Sequence, residues 1–270
     1  MPRTQSHPQL AYSLSDPPPN AKTPVVFVSG MGGVQAAWLL AMRHFGASRQ
    51  TLSYDHRGMG ISEYSPEPME MRDYAADLVR LLDEVGLEQA DFVGLSFGGR
   101  VLQELALGWP HRIRRLVLGG TSCGGAGHVP GDYAAIQAMA RGPELTEEEW
   151  LELVIPAMFG RRYREAEAAK MKNLARWWNR HPPDPRGLAL QGAAYLRFDT
   201  SDRLQNIPHP TLILHGTDDR LSPGANALYL VQHLPHARLH WLPEVGHSPN
   251  AEDPQRFHKE IQDFLDEEEA

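Results

Sequence analysis

The sequence predicts an α/β fold, with a mostly parallel central sheet flanked by helices and a helical insertion before the last strands. Three observations carry this expectation. Short apolar runs alternate with helix-like segments through residues 24–118 and again through 211–265, the rhythm of strand–helix–strand crossovers. Between residues 121 and 207 that rhythm stops and only helical patterning continues. At Gly94-Leu95-Ser96-Phe97-Gly98 a strand-like run turns into a helix-like one through a serine with glycines two residues to either side.

The elements follow in order. Residues up to about Asn20 are polar and proline-rich, with one edge strand expected within 9–14 and a turn forced by Pro17-Pro18-Pro19. Val25 to Val28 is a continuous apolar run, too uniform to leave one face in water, and so reads as a central parallel strand. A helix over 35–45, a strand over 51–54, a glycine-rich loop and a helix over 71–85 come next. Asp91-Phe92-Val93 leads through the serine turn into a helix from Gly99, and Ile113 to Leu118 is the next strand. The insertion shows helical patterns at 147–158 and 163–178 and reads as a cap over the sheet's edge. The α/β rhythm resumes with a strand over 211–214, a helix over 224–233, a strand over 238–242 and a last helix over 254–265. Residues 1–120 and 208–270 would then form one core, with 121–207 as the cap.

Composition narrows the function classes. A formal charge of -8 offers no long-range attraction to phosphate backbones, so a nucleic-acid partner is not expected. No run of eighteen apolar residues occurs and the N-terminus has no signal-like apolar core, which points to a cytoplasmic protein with no membrane partner. Cys123 is the single cysteine, so an internal disulfide is impossible, and it reads as an inert buried thiol. The 13 histidines show no His-Glu-x-x-His spacing, and no metal or cofactor is expected. The acidic end, Asp266 to Glu269, reads as a solvated tail.

The chemistry-bearing residues are found by asking what leaves the carboxyl ends of the strands, where open α/β sheets place their sites. The serine turn is one such place. The loop after Leu214 carries Asp218 and Asp219, and the loop after Leu242 carries His247. A serine hydroxyl is a poor nucleophile until a base takes its proton; His247 would be that base, and an aspartate would orient and stabilise its imidazole. The backbone N–H of Phe97, which follows the serine, and that of Met31, in the loop Ser29-Gly30-Met31-Gly32-Gly33, would hold an oxyanion. Trp177 and Trp178 of the cap are candidate pocket walls with Leu221, although aromatic residues on a cap helix are more often packing.

These residues together resemble the α/β-hydrolase fold superfamily, in its cofactor-free esterase, enol-lactonase and haloperoxidase-like branch. The resemblance spans nearly all of 24–264 and includes Asp55-His56-Arg57-Gly58-Met59-Gly60-Ile61-Ser62, similar to the family's Asp-x-Arg-Gly-x-Gly-x-Ser loop, with Asp55 and Arg57 bracing the rim of the site. It implies a helical cap inserted after the sixth strand. It also favours Asp219 over Asp218, since Asp219 falls three residues after Gly216. One departure is Ser29-Gly30 where members commonly carry His-Gly, so the oxyanion loop must be braced differently. A Gly-Gly-Gly-x loop is absent, which argues against esters of bulky tertiary alcohols.

The expected activity is hydrolysis of a small-molecule carboxylic ester, of short to medium acyl chain, or of a lactone, through an acyl-enzyme. Enol-lactone opening, carbon–carbon bond hydrolysis and perhydrolysis of the haloperoxidase kind stay open as alternatives. A homo-oligomer is compatible with the sequence. A serine at the turn sets aside the relatives that attack with aspartate. A nucleotide-binding oxidoreductase fails because the third glycine of its fingerprint would be residue 35, which is Gln35. A non-catalytic binding protein on the same scaffold is the alternative outside enzymes.

Overall fold

Val25, Val26, Phe27 and Val28 are all completely buried, as a strand covered on both faces requires. Val26 and Val28 join one hydrophobic cluster and Val25 and Phe27 another, so the period-2 alternation of a strand sends apolar side chains to both sides of the sheet. The computed structural model describes residues 1–267, the side chains of Ala140 and Pro143 apart. Its strands are β1 (Tyr12–Leu14), β2 (Lys22–Val28), β3 (Arg49–Tyr54), β4 (Ala90–Leu95), β5 (Ile113–Gly119), β6 (Thr211–Gly216) and β7 (Ala237–Leu242). They form one sheet in the order β1-β3-β2-β4-β5-β6-β7, antiparallel at the β1 edge and parallel elsewhere.

Helices α1 (Leu39–Phe45), α2 (Met71–Glu84) and α3 (Phe97–Gly108) are joined in the core by helices Gly224–His233 and Pro254–Leu265. Phe45 of α1 packs with Phe257, Ile261 and Phe264 on one face of the sheet; Leu78 and Leu81 of α2, Val101 and Leu105 of α3, and Leu230 pack on the other. The chain enters α1 through a tight 3-10 turn at Gln35–Trp38, a refinement of the single helix expected there. The helical pattern expected over 163–178 is broken at Glu167, between helices Arg161–Ala166 and Ala168–Arg180.

Everything between β5 and β6 is helix, turn or loop, apart from an isolated bridge of Gly124 with Asp199 that draws the two ends of the segment together. This insertion follows the fifth strand, not the sixth. The N-terminal edge supplies a single strand, because residues before Tyr12 make only one bridge, Arg3 to Ala11, and so five strands precede the inserted helices. The inserted segment rests on loops at the carboxyl ends of the strands. The Arg220 and His247 amides donate to Ala157 O and Met158 O at 3.4 and 2.7 Å, and Gly187 meets Gly58 so closely that a Cβ there would stand 2.2 Å from Gly58 O.

The acidic end differs from expectation. Asp266 pairs with Lys22 and Arg49, and Glu267 pairs with Arg115 and Arg238, so the segment is tied down by cations of the sheet's opposite end. Glu268 and Glu269 lie outside the described residues.

Candidate active site

β4 ends at Leu95 and α3 begins at Phe97, so Ser96 alone makes the turn, with φ 54° and ψ -116°. That conformation is costly for a residue with a Cβ, by about 1–3 kcal/mol, and persists only where its surroundings hold it. Here they do. Ser96 N–H donates to Gly119 O at 2.8 Å, and Thr121 Oγ1 donates to Ser96 O at 2.7 Å. The neighbouring glycine is equally constrained: a Cβ on Gly98 would lie 2.2 Å from Val28 O, so only glycine lets α3 begin this close to β2.

His247 follows β7 and Asp219 follows β6, and the two meet. Nδ1 of His247 lies 2.8 Å from Asp219 Oδ2, and the carboxylate can only accept, so Nδ1 carries the proton and Nε2 is the basic nitrogen. The other oxygen of Asp219 accepts the N–H groups of Leu221 and Ser222 at 3.0 and 2.8 Å, which fixes the carboxylate plane. Asp218 instead faces the Arg161 amide at 3.4 Å. Burial pushes the His247 pKa down, but the charge and hydrogen bond of Asp219, with Glu252 beyond, outweigh it, and the result lies above the ordinary 6.5.

Gly120 joins the serine to this pair. It sits between the two residues that bond the Ser96 backbone, at φ +52°, and a Cβ on it would stand 3.1 Å from His247 Nδ1 and 3.3 Å from Asp219 Oδ2. Among the described residues no hydrogen bond reaches from Ser96 Oγ to the imidazole; such contacts are often long in the absence of substrate.

The loop Ser29-Gly30-Met31-Gly32-Gly33, expected to hold an oxyanion, follows β2. Gly30 packs on the serine, a Cβ on it lying 3.4 Å from Ser96 Cβ. Among the described residues no protein group accepts the N–H of Met31 or Phe97, the latter being the first residue of α3 and without an intrahelical acceptor. Both donors therefore remain available. The loop is braced where the sequence departs from its relatives: Ser29 Oγ accepts from Trp38 Nε1 at 3.0 Å, and Ser29 O lies 3.1 Å from His56 Nε2, which must donate to a carbonyl. His56 is buried, and burial lowers its pKa to about 4, so it stays neutral. Asp55 accepts the Gln35 N–H at 2.7 Å. Arg57, expected at the rim, turns instead to Asp77 of α2, Nε to Oδ2 at 2.9 Å.

Three contributors had no signal of their own in the sequence. Glu252 accepts the N–H groups of Gly246 and Ser248, on either side of His247, and that of Gly160 at 2.8 Å. His215 lies 3.7 Å from Asp219 Oδ2 and is held by Ser222 O at 2.7 Å. Gln191, in helix Pro185–Arg197, accepts the Gly32 N–H at 2.8 Å. The expected wall residues Trp177 and Trp178 lie on helix Ala168–Arg180 of the inserted segment. Trp178 is spent on the inserted segment's own core, 4.6 Å from the Trp150 ring, while Trp177 is 50 % exposed and stacks on His181. Leu221 is half-buried beside Asp219. Cys123 is buried, which pushes its thiol up to about 11, far from a nucleophilic thiolate at neutral pH. Among the described residues no cluster of His, Cys, Asp or Glu could hold a metal ion, and no helix is long and apolar enough to cross a membrane.

A mostly parallel sheet with a serine elbow and an Asp–His pair at its carboxyl edge defines the class of α/β hydrolases. Residues 25–260 match the family model described as the alpha/beta hydrolase family, and the chain belongs to that family. It is 31% identical over 264 residues to the 2-hydroxymuconate semialdehyde hydrolase of Pseudomonas sp. (strain CF600), covering 92% of this chain and 88% of the relative. It is 28% identical over 250 residues to a protein of Azorhizobium caulinodans named "Putative carbamate hydrolase RutD", covering 92% of each. The enol-lactonase of Burkholderia xenovorans LB400 superposes with a TM-score of 0.84 at 26% identity, over 98% of this chain and all of the other.

Proposed function

We propose that the protein is a serine hydrolase that opens carboxylic esters or lactones through an acyl-enzyme. The observation that carries this reading is the His247–Asp219 hydrogen bond, set against the same Gly119–Thr121 turn that holds the strained Ser96. In this reading Ser96 Oγ adds to the acyl carbon while its proton passes to His247 Nε2. The oxygen of the tetrahedral adduct takes hydrogen bonds from Met31 and Phe97 N–H. The imidazolium, held by Asp219, then protonates the departing alcohol oxygen, and water repeats the sequence to release the acid. Residues 121–207 serve as the cap that bounds the acyl pocket, and no cofactor is required for any step.

A second reading is hydrolysis of a carbon–carbon bond beside a carbonyl. It is favoured by the likeness to a semialdehyde hydrolase, whose named substrate has no ester to cleave. The same three side chains would serve, with a carbanion as leaving group. The two are separated by assaying acyl esters, lactones, carbamates and vinylogous 1,5-diketones side by side on the purified protein. Faster turnover of the diketone than of every ester and lactone would select the second.

The site assignment is tested with Ser96→Ala. Turnover of p-nitrophenyl acetate should fall by about 10³-fold or more while the circular-dichroism spectrum is unchanged. A fluorophosphonate should add once to the native protein and not to the variant. Substantial remaining activity, or labelling elsewhere, would remove Ser96 as nucleophile.

A further inference from the structure

We infer that Gln191 is a positioning residue that holds the oxyanion loop in its working form, tying the inserted helical segment to transition-state stabilisation. The inference rests on the serine-hydrolase reading of the site and deepens it. Gln191 is completely buried, and its Oε1 accepts the N–H of Gly32, the residue after the proposed oxyanion donor Met31. A backbone N–H can only donate, so the side-chain oxygen must face it and the Nε2 amide must face away. Nε2 is itself buried with no acceptor among the described residues.

A buried donor with no partner is unfavourable, and an apolar side chain of the same length would avoid it. What Gln191 supplies and methionine would not is the acceptor for Gly32. That acceptor matters because Gly32 has φ +69°, a conformation that turns the peptide plane next to Met31. If the Gly32 N–H turned to find another acceptor, its neighbouring peptide would turn with it. The helix that carries Gln191 is well placed to act as a fixed support. It abuts Gly58 through Gly187, its Tyr195 O accepts from Arg100 Nη1 of α3 at 2.8 Å, and Arg197 pairs with Glu70 at 2.7 Å. Leu188 of the same helix lies 3.5 Å from the position of a Cβ on Gly32, so this support and the loop are in contact.

The test compares native protein, Gln191→Met, Gln191→Glu and Ser96→Ala with p-nitrophenyl acetate as substrate and phenylboronic acid as a mimic of the tetrahedral adduct. Removing an oxyanion donor outright costs about 10²–10³-fold, so misplacing one should lower kcat of Gln191→Met by roughly 10–100-fold. KM should stay within about threefold and boronate affinity should fall in step with kcat/KM. Gln191→Glu keeps an oxygen opposite Gly32 and should lie closer to the native enzyme. Native kcat in Gln191→Met, a rise in KM alone, unchanged boronate affinity or the reverse order of the two variants would each overturn the inference. If Ser96→Ala loses turnover while Gln191→Met does not, only the role of Gln191 fails. If Ser96→Ala stays active, the serine reading fails and the inference with it.

Discussion

At the scale of single residues, the proton economy of His247 is the most exposed to measurement. The proposed base acts only when neutral, and its pKa is raised above 6.5, so activity should fall as the pH drops through a midpoint above 6.5. A profile of kcat/KM from pH 5 to 9 checks this, and a flat acid side would count against His247. The ionisable groups facing the imidazole are His215 from the end of β6, Asp219 from the loop after it and Glu252 from the short helix Pro249–Glu252. Glu252→Gln removes one negative charge while keeping an acceptor for the amides around His247. The acid midpoint should therefore move to lower pH, and an unmoved midpoint would reduce Glu252 to a purely structural clasp. For the acid, Asp219→Asn should cost about 10³–10⁴-fold in kcat, by loss of the correct tautomer, and Asp218→Asn less than about threefold. The opposite order would show that the neighbour is the working carboxylate.

At the scale of elements, the site exists because α3 can start almost in contact with β2, and glycine permits it. Gly98→Ala places a methyl 2.2 Å from Val28 O, and neither backbone can yield. The variant should lose about 1–3 kcal/mol in urea unfolding, with activity reduced as the elbow shifts. Gly192, in the interior of helix Pro185–Arg197, has nothing within 4 Å of its Cβ position. Gly192→Ala should be neutral or stabilise by up to about 1 kcal/mol, since alanine loses less backbone freedom in a helix. Equal effects of the two would mean that crowding at the elbow does not govern its stability.

At the scale of the whole molecule, buried neutral histidines make folding stability depend on pH on the acid side. His56 has a folded pKa of about 4 against 6.5 when exposed, so between those values the unfolded chain binds the extra proton and the folded one does not. Its full contribution is present above pH 6.5 and is lost as the pH falls towards 4, a change of about 3 kcal/mol. His258, lowered to about 4 by burial, acts in the same direction. Tm should decline through this window, and more shallowly in His56→Phe; an unaltered slope would mean that other groups control the acid transition.

Strand β2, the elbow and the loops after β6 and β7 were legible in the sequence because each follows from local rules. A buried strand needs an unbroken apolar run, a sharp turn needs small residues, and polar side chains gather beyond strand ends. The preference for Asp219 over Asp218 came instead from the family resemblance, which implies an acid three residues after Gly216. The bracing of the site was not legible. Gln191 meets Gly32 across 159 positions and Glu252 meets Gly160 across 92, and a hydrogen bond between such distant residues leaves no periodicity to read. The side of the helix each tryptophan takes was, by contrast, legible, since Trp178 continues the i, i+3, i+4, i+7 stripe of Met171, Leu174 and Ala175 that packs inside the inserted segment, whereas Trp177 falls off it and is exposed. The sequence by itself determined the family of fold and the three residue types at its edge, because backbone sterics and burial act over a few residues. Only tertiary structure decided which groups orient them, because orientation depends on elements that meet after the chain has closed on itself.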